Sequence, residues 1–475
     1  MSNVLTHDLC IIGAGSGGLS VAAGAVQMGA SVVLIEKGAM GGDCLNTGCV
    51  PSKALLAAGH AAHAFTASDA FGVKSQTPAV DFQAVHDHVH DVISGIAPHD
   101  SVERFEELGV HVIQGAAVFT SKRELEVNGH TVRARRFVVA TGSSALVPPI
   151  EGLAETPHLT NESIFDLTAA PDHLIVIGGG PIGCELAQAH RNLGCSVTVI
   201  EAFSILPKDD PDLADIVRST LTGQGIALAE GTKVVRTAKT DSGVAVTVER
   251  GGTEETIEGS HLLVAVGRKA TVGGLGLDQA GIKFSPKGIN VNAGLRTSNR
   301  RVYAIGDCAG GLQFTHVAGY HAGVIIRSAL FRLPTKADYS AVPWVTYTDP
   351  ELAQVGLTEA QAREKFGDSI RVVTWPFEEN DRARAERSTH GLVKAVMAKN
   401  GRILGCGIAG PKAGELIQVW ILALSQKLKI GALAGMIVPY PTLGEVSKRV
   451  AGACYTPSLF SERTRKVVRF LSKFG

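Results

Sequence analysis

The sequence lacks an excess of either charge. Lysine plus arginine and aspartate plus glutamate both number 45, so the formal net charge is zero. Capture of nucleic acid through its phosphates depends on a clear positive excess. The charge balance therefore argues against a nucleic-acid partner, and we expect a small-molecule partner instead.

Cysteine and long apolar runs are also scarce. Eight cysteines in 475 residues are too few for a disulfide scaffold, and several lie in apolar runs, where free thiols are common. The N-terminus has no basic region followed by an apolar run, and no apolar stretch reaches membrane-spanning length. We therefore expect a cytoplasmic protein in a reducing compartment.

One stretch organises the rest of the chain: residues 41–53, GGDCLNTGCVPSK, place Cys44 and Cys49 five positions apart. Cys49 lies at the predicted start of a helix, where free backbone N–H groups and the helix dipole favour a thiolate. A low-pKa thiolate suits electron exchange, so the pair is interpreted as a redox-active disulfide. Two buried free thiols or a structural crosslink also fit the spacing.

The first segment has the pattern of a nucleotide-binding unit. An apolar run ends in the turn GAGSGG, and a helical pattern follows. Gly13 permits a tight turn, Gly15 lets a pyrophosphate approach the backbone, and Gly18 allows close packing of helix and strand. The next apolar run ends at Glu36, an acid that can bind ribose hydroxyls. A glycine-rich turn in an unrelated α/β domain would not need Glu36.

The same unit occurs a second time. An apolar run ends in GGGPIG, with Gly178, Gly180 and Gly183 in the corresponding places, and the following run ends at Glu201. Two such units with a cysteine pair after the first suggest an electron path from nicotinamide to flavin to disulfide.

The acid of the second unit bears on cofactor choice. Glu201 would repel a 2'-phosphate, which favours NADH over NADPH, although Arg218 and Arg236 are near in sequence. Strand patterns at 231–235 and 261–266 are predicted to complete this unit.

The segment between the two units is predicted to be mostly helical from residue 51 to about residue 97. Its histidines include His86, His88 and His90, whose alternation spreads them around a helix rather than converging them. We expect no metal site there or elsewhere.

Here the motifs become specific together. The cysteine stretch, both glycine turns, Ala140-Thr141-Gly142, Val266-Gly267-Arg268 and Tyr303-Ala304-Ile305-Gly306-Asp307 resemble those of the class I pyridine nucleotide-disulfide oxidoreductases. That family includes lipoamide dehydrogenase, glutathione reductase and mercuric reductase, and the match covers nearly the whole chain.

The resemblance implies an α/β fold with two Rossmann-like domains, one for FAD and one for NAD(P), and a C-terminal α+β dimerisation domain. The expected domains are a first FAD-binding part with the redox disulfide (1–148), an NAD(P)-binding domain (149–269), a second FAD-binding or central part (270–338) and a dimerisation domain (339–475). A homodimer is implied.

Individual positions also carry implied roles. Cys49 resembles the thiol beside the flavin, and Cys44 the outer thiol that meets substrate. Lys53 and Glu185 resemble the ion pair near the flavin, and Asp307 the acid that binds its ribityl chain. Further expected cofactor contacts are Gly115, Gly142, Val234 and Gly267.

One departure lies near the C-terminus. Lipoamide dehydrogenase and glutathione reductase place a histidine before a Pro-Thr pair, with a glutamate five positions on; here Tyr440 replaces the histidine and Glu445 keeps its place. A phenol titrates near pH 10, so Tyr440 would be a poor base for a dithiol at neutral pH. Tyrosine resembles mercuric reductase, but the C-terminal vicinal cysteine pair and the N-terminal metal-binding module of that enzyme are absent.

Three functions remain open from sequence. The favoured one is a reductase that passes electrons from NADH through FAD to the disulfide and on to a disulfide or thiol-reactive acceptor, including possible metal ions such as Hg(II). The alternatives are a dihydrolipoamide dehydrogenase and a non-catalytic flavoprotein binding subunit.

The C-terminal tail carries a separate hypothesis. Val467, Phe470, Leu471 and Phe474 fall on one helical face among basic residues, as in an amphipathic helix on a membrane or partner. Docking on the chain's own dimer is the alternative.

Overall fold

The computed structural model describes residues 4–474, and its first part contains a mixed, mostly parallel sheet flanked by helices. The strands are β1 (Val4–Ile12), β2 (Val32–Glu36), β3 (His111–Gln114), β4 (Val118–Phe119), β5 (Glu124–Val127), β6 (His130–Val139) and β7 (Ser143–Ala145). The helices are α1 (Ser16–Gln27), α2 (Gly42–Asn46), α3 (Cys49–Thr66), α4 (Phe82–Ile96) and α5 (Val102–Glu107).

The middle part contains a second sheet and an antiparallel meander. Its strands are β8 (His173–Ile177), β9 (Ser196–Ile200), β10 (Ala227–Ala229), β11 (Lys233–Thr240), β12 (Gly243–Arg250), β13 (Thr253–Gly259), β14 (His261–Val264) and β15 (Arg268–Ala270). Its helices are α6 (Pro181–Asn192) and α7 (Pro211–Gly223). The chain continues through β16 (Phe284–Ser285), β17 (Gly288–Ile289), β18 (Val302–Ala304) and α8 (Thr315–Ala329).

The last part surrounds one antiparallel sheet with helices. Its strands are β19 (Pro343–Thr346), β20 (Glu351–Gly356), β21 (Ile370–Pro376), β22 (Leu392–Ala398) and β23 (Ile403–Gly410). Its helices are α9 (Glu359–Phe366), α10 (Asp381–Ala385), α11 (Ala413–Leu416), α12 (Gln418–Ser425), α13 (Ile430–Ala434), α14 (Glu445–Ala453), α15 (Thr456–Leu459) and α16 (Glu462–Leu471).

Strand order shows how the parts are built. The first sheet runs β3-β2-β1-β6-β5-β4, and β18 returns from much later in the chain to pair with β6. The second runs β10-β9-β8-β14, all parallel, and the last runs β19-β20-β23-β22-β21, all antiparallel. The predicted α/β fold, with two nucleotide-binding units and a C-terminal α+β unit, is confirmed.

One local prediction needs correction. The third parallel strand of the second unit is Ala227–Ala229, whereas the predicted run at 231–235 opens the separate meander β11-β12-β13. The strand Ala227–Ala229 is too short to show an alternating apolar pattern. The clearer β pattern of the neighbouring run at 231–235 was therefore assigned as the third strand. The segment 51–97 is mostly helical, as predicted, with a break over residues 72–81.

Apolar side chains link the units. One cluster of buried residues joins Leu55 of α3, Val176 of β8 and Leu352 of β20, so the three parts share a continuous core. No helix among residues 4–474 is both long and apolar enough to cross a bilayer.

Candidate active site

One large cavity lies where the units meet. Its volume is about 2490 Å³, well above the roughly 300–1,000 Å³ of a usual small-molecule pocket. It therefore has room for more than one cofactor. The predicted residues that line it are Gly13, Gly15, Glu36, Cys44, Cys49, Lys53, Gly115, Gly142, Gly178, Gly180, Glu185, Glu201, Gly267 and Asp307.

The first glycine-rich turn packs so closely against neighbouring backbone that Gly13 and Gly18 have no space for a side chain. Gly13 has φ +106°, and a β-carbon there would lie 2.4 Å from the carbonyl oxygen of Ala140. At Gly18 a β-carbon would lie 1.9 Å from the carbonyl oxygen of Gly13. Helix α1 then begins at Ser16 with no side-chain cap, which leaves its first N–H groups free for an anion.

The second turn repeats this geometry. Gly178 has φ +111°, with its β-carbon position 2.5 Å from the carbonyl oxygen of Ala265. At Gly183 a β-carbon would lie 1.9 Å from the carbonyl oxygen of Gly178. Gly18 and Gly183 therefore lie behind the cavity wall, where they let a helix pack on its turn.

Glu36 and Glu201 each stabilise the glycine-rich turn of their own unit through hydrogen bonds to its backbone. Glu36 accepts hydrogen bonds from the backbone N–H groups of Ala14 (2.6 Å) and Gly38 (2.7 Å). Glu201 accepts one from the N–H of Gly179 at 2.7 Å. Each carboxylate is thus fixed at the end of its strand, on the side where a nucleotide ribose would lie.

The cysteine stretch folds as two short helical steps. Cys44 lies within α2, and Cys49 is the first residue of α3, capped by Gly48. Both are free thiols, and each one shifts the pKa of the other. The sulfur of Cys49 also lies 3.4 Å from the hydroxyl oxygen of Thr315 at the start of α8.

The two thiols have opposite acidities. The hydrogen bond from Cys44, then the Thr315 hydroxyl and the charge of Lys53, outweigh burial and lower the pKa of Cys49 to about 6. The same hydrogen bond and burial raise the pKa of Cys44. At neutral pH the pair therefore keeps one proton, on the sulfur of Cys44, and a negative charge on Cys49.

A lysine from the next turn of α3 reaches a buried acid of the second unit. The Nζ of Lys53 lies 2.7 Å from a carboxylate oxygen of Glu185, whose other oxygen accepts from the N–H of Tyr347 at 2.9 Å. The same Nζ stands 4.3 Å from the centre of the Tyr347 ring. All three parts of the chain thus meet at one cation.

Close packing of two helices fixes this meeting point. Helix α3 carries Lys53 and helix α6 carries Glu185, and the two lie against each other. At Gly59 of α3 a β-carbon would come 3.2 Å from the backbone oxygen of Ala189 in α6. A glycine there lets the helices approach.

A chain of polar groups ties Asp307 to the cysteine stretch. The hydroxyl of Ser143 donates to Asp307 (2.6 Å) and accepts from the Nε of Arg268 (2.7 Å). The same guanidinium lies 3.1 Å from a carboxylate oxygen of Asp43, the neighbour of Cys44. Burial raises the pKa of Asp307, against the Ser143 hydrogen bond.

Several of these residues escaped the sequence prediction. Arg268 stood inside a recognised motif and Ser143 directly after one, but neither had an assigned role. Asn161, which donates to Asp43 at 3.2 Å, lies in a linker without any pattern. Trp344 is a further case: its indole N–H donates to Asp209 at 2.7 Å in the cavity wall. Such partners become visible only when distant segments are brought together.

Five predicted residues lie outside the cavity wall: Gly18 and Gly183 lie behind it, and Val234, Tyr440 and Glu445 lie elsewhere. Val234 belongs to β11 of the antiparallel meander and packs against the same buried cluster as Ile150 and Ala229, so its expected cofactor contact stays a prediction. Tyr440 and Glu445 also lie away from the cavity within one chain. The Tyr440 side chain is 69% exposed and donates to a carboxylate oxygen of Asp381 at 3.2 Å.

The residues present fit two dinucleotides. A β-carbon at Gly142, Gly180 or Gly267 would meet no described atom within 4 Å, so open cavity space lies directly beside these backbones. Each turn presents free helix N–H groups and a fixed carboxylate, the donor and acceptor set that a pyrophosphate and a ribose need. Within residues 4–474, no group of three or more His, Cys, Asp or Glu side chains is placed to hold a metal ion.

Comparisons with known proteins agree with this arrangement. Residues 7–322 match the family model described as pyridine nucleotide-disulphide oxidoreductase, and residues 342–451 match its dimerisation domain. The chain is 37% identical to a mercuric reductase of Bacillus cereus, over 92% of this chain and 70% of that protein. It is also 37% identical to a dihydrolipoyl dehydrogenase of Thermus scotoductus, over 96% and 98%.

A solved structure is similar over nearly its whole length. The HOCl-induced flavoprotein disulfide reductase RclA of Escherichia coli, in a Cu(II) complex, superposes with a TM-score of 0.84 at 29% identity. The match covers 94% of this chain and 99% of that one.

Proposed function

Because this chain belongs to the FAD-dependent pyridine nucleotide-disulphide oxidoreductases, we propose that it passes electrons from NADH through FAD to Cys44 and Cys49, and on to a disulfide or thiol-reactive acceptor. Membership makes it an enzyme that uses FAD and NAD(P)H, which argues against a non-catalytic binding subunit. The donor preference, the acceptor and the residue roles are the proposed parts.

One observation carries the proposal. Cys44 and Cys49, whose pKa values are shifted in opposite directions, lie in one cavity that both glycine-rich turns line, together with the ion pair of Lys53 and Glu185. Two quiet buried thiols would not need a helix N-terminus, a nearby cation and a shared proton.

FAD, when bound, supplies a two-electron relay between a nicotinamide and a disulfide. In this chain the turn at Gly13 and Gly15 would hold its pyrophosphate, Glu36 a ribose and Asp307 the ribityl chain. The turn at Gly178 and Gly180, with Glu201, would hold NADH in the same manner.

The protein's own groups manage charge and protons. Lys53 places a cation, steadied by Glu185, where negative charge develops on reduction. Cys49 holds its charge as a thiolate, while Cys44 keeps its proton until its sulfur attacks the electrophilic acceptor, when that proton passes to the Cys49 thiolate. The raised pKa of Cys44 and the lowered pKa of Cys49 support this division.

The donor is proposed to be NADH. Both arginines near the second turn are already engaged, since Arg218 bonds Glu230 at 2.8 Å and Arg236 bonds Glu254 at 2.9 Å. Neither is free to bind a 2'-phosphate beside Glu201, whose own charge opposes one.

The dimerisation domain supports a homodimer, and we propose that each site is completed by Tyr440 and Glu445 of the partner subunit. The exposure of Tyr440 and of the nearby Ile437, which is 98% exposed, is consistent with a covered position in a dimer. Hydrogen bonding to Asp381 and its charge raise the pKa of Tyr440 further, which makes this phenol a poorer base.

The acceptor class follows from that phenol. Oxidation of a dithiol such as dihydrolipoamide needs a base near pH 7, whereas an electrophilic disulfide or thiol-binding metal ion needs only a thiolate. The similarity to mercuric reductases favours an electrophilic acceptor, a disulfide or a thiol-binding metal ion, over a dithiol. Dihydrolipoamide oxidation remains the alternative, since a dihydrolipoyl dehydrogenase matches along nearly its whole length.

A panel of acceptors tests the proposal. NADH and NADPH would be assayed with lipoamide, glutathione disulfide, other small disulfides, Hg(II) and quinones, in wild type and Tyr440→His. We expect NADH-driven turnover with a disulfide or thiol-binding acceptor, slow dihydrolipoamide oxidation, and a gain of roughly 10²-fold in the latter on Tyr440→His. Fast dihydrolipoamide oxidation by the wild type would favour the alternative.

A further inference from the structure

The C-terminal helix α16 has two chemically different faces and no described partner. All described residues from 465 to 474 are exposed, and four of their five apolar residues share one helical face, with Val468 at its side. Val467, Phe470, Leu471 and Phe474 are 54%, 59%, 58% and 73% exposed. The rings of Phe470 and Phe474 pack edge to face, 5.1 Å apart, which keeps them on one side.

The rest of the helix surface is strongly basic, and Arg463 lies at the N-terminal end of the apolar stripe itself. Residues 460–474 contain one acid, Glu462, and the following bases: Arg463, Arg465, Lys466, Arg469 and Lys473. Arg465 pairs with Glu462 at 3.2 Å, and among the described residues no carboxylate lies within salt-bridge distance of the other four. The surface is therefore an apolar stripe bordered by uncompensated positive charge.

We propose that α16 docks on the surface of an anionic phospholipid bilayer. An amphipathic helix with a basic polar face lies in the interface, with its apolar residues among the acyl chains and its cations at the headgroups. A bilayer of this kind matches both faces at once.

A second copy of the tail is a poorer occupant. Its basic face would repel an identical one, and the tail lies beyond the matched dimerisation domain, which ends at residue 451. A dimer would instead present two such helices, and two weak membrane contacts in one molecule reinforce each other.

Vesicle flotation of the full-length FAD-bound protein tests this. We expect binding to vesicles that contain phosphatidylglycerol, little binding to pure phosphatidylcholine, and release as salt is raised. Phe470→Ser/Leu471→Ser should lower the partition coefficient at least about tenfold, because two apolar side chains leave the bilayer. Lys466→Glu/Arg469→Glu should remove the preference for anionic lipid.

Matched variants control for surface changes elsewhere. Phe331 and Leu333 are 57% and 52% exposed, so Phe331→Ser/Leu333→Ser removes similar apolar surface and should leave vesicle binding unchanged. Lys283→Glu/Lys287→Glu reverses two exposed charges away from the tail in the same way.

Three results would overturn the proposal: no vesicle binding, equal binding to neutral vesicles, or a lower oligomeric state or NADH oxidation rate of Phe470→Ser/Leu471→Ser in solution. The last would place the tail on the second copy instead. NADH oxidation by the wild type without vesicles reports on the proposed function separately.

Discussion

At the scale of single residues, the site depends on where one proton and one negative charge are kept. Cys49 gains acidity from a neighbour five positions earlier and from Thr315, which lies far away in sequence. The helix start and the cysteine spacing were predictable because both are local. The Thr315 contact was not, because it needs β18 and α8 to return to the first sheet.

Removing Cys44 should raise the pKa of Cys49. The hydrogen bond from Cys44 is the largest cause that lowers it to about 6. In two-electron-reduced wild type, thiolate absorbance beside the flavin should fade as pH falls through about 6. In Cys44→Ala the midpoint should lie higher, while NADH still reduces the flavin and acceptor turnover is lost.

Thr315→Val is the graded control for that titration. It removes the weaker of the two hydrogen bonds, so its midpoint should lie between those of wild type and Cys44→Ala. An unchanged midpoint in Cys44→Ala would contradict the assigned origin of the acidity.

His321 should make stability fall in acid. Its Nδ1 accepts from the N–H of Gly306, next to Asp307, and its Nε2 faces the Tyr339 hydroxyl at 2.8 Å. Burial lowers its pKa to about 4, so the folded state resists a proton that the unfolded chain takes up near pH 6.5. The contribution of neutral His321 to the free energy of unfolding is therefore fully present above pH 6.5 and is lost as pH falls toward 4.

Chemical denaturation of wild type and His321→Gln at several pH values measures this term. The wild type should lose up to about 3 kcal/mol relative to the variant between pH 7 and pH 4. Because the other titrating groups are common to both proteins, parallel pH profiles would rule out a buried neutral histidine here.

At the scale of elements, a single lysine joins two units. Lys394 of β22 lies 2.9 Å from Asp210 at the cap of α7, 2.7 Å from Asp212 and 2.8 Å from Glu359 of α9. Burial opposes its charge, yet the three carboxylates raise its pKa. Trp344 and Asp209 make a second link between the same two units.

Lys394→Met should therefore destabilise the protein by about 3 kcal/mol, because it leaves the buried carboxylate of Asp210 without its counter-ion. Asp212→Asn is the matched control: its side chain is 62% exposed, so its loss should cost no more than about 1 kcal/mol. Denaturant unfolding measures both losses of stability. If Lys394→Met and Asp212→Asn lowered the free energy of unfolding equally, the contact of Lys394 with Asp210 would not be the main stabilising one.

At the scale of the whole molecule, sequence periodicity predicted the repeated units well and their contacts poorly. Each glycine turn and terminal acid is a local pattern, so both were placed correctly in sequence and in space. The links between Asp307, Ser143, Arg268 and Asp43 join positions more than a hundred residues apart. Only the assembled sheet order brings such groups together.

The duplicated turn gives paired predictions for the whole molecule. Glu36→Gln should weaken FAD retention and Glu201→Gln should raise the KM for NADH, each by roughly 10- to 100-fold, since each removes a charged hydrogen-bond acceptor. Flavin content after dialysis and steady-state kinetics measure the two effects. If Glu36→Gln changed only the KM for NADH and not flavin content, the assignment of FAD to the first turn and NADH to the second would be wrong.

The packing of α3 on α6 has a kinetic consequence. Lys53 and Glu185 belong to different nucleotide-binding units, yet Gly59 and a shared core hold them 2.7 Å apart. Electron transfer across this junction needs no domain to swing through solvent. The rate constant for reduction of the enzyme by saturating NADH should accordingly be unchanged when sucrose raises the solvent viscosity. Viscosity should slow only the binding and release of small molecules.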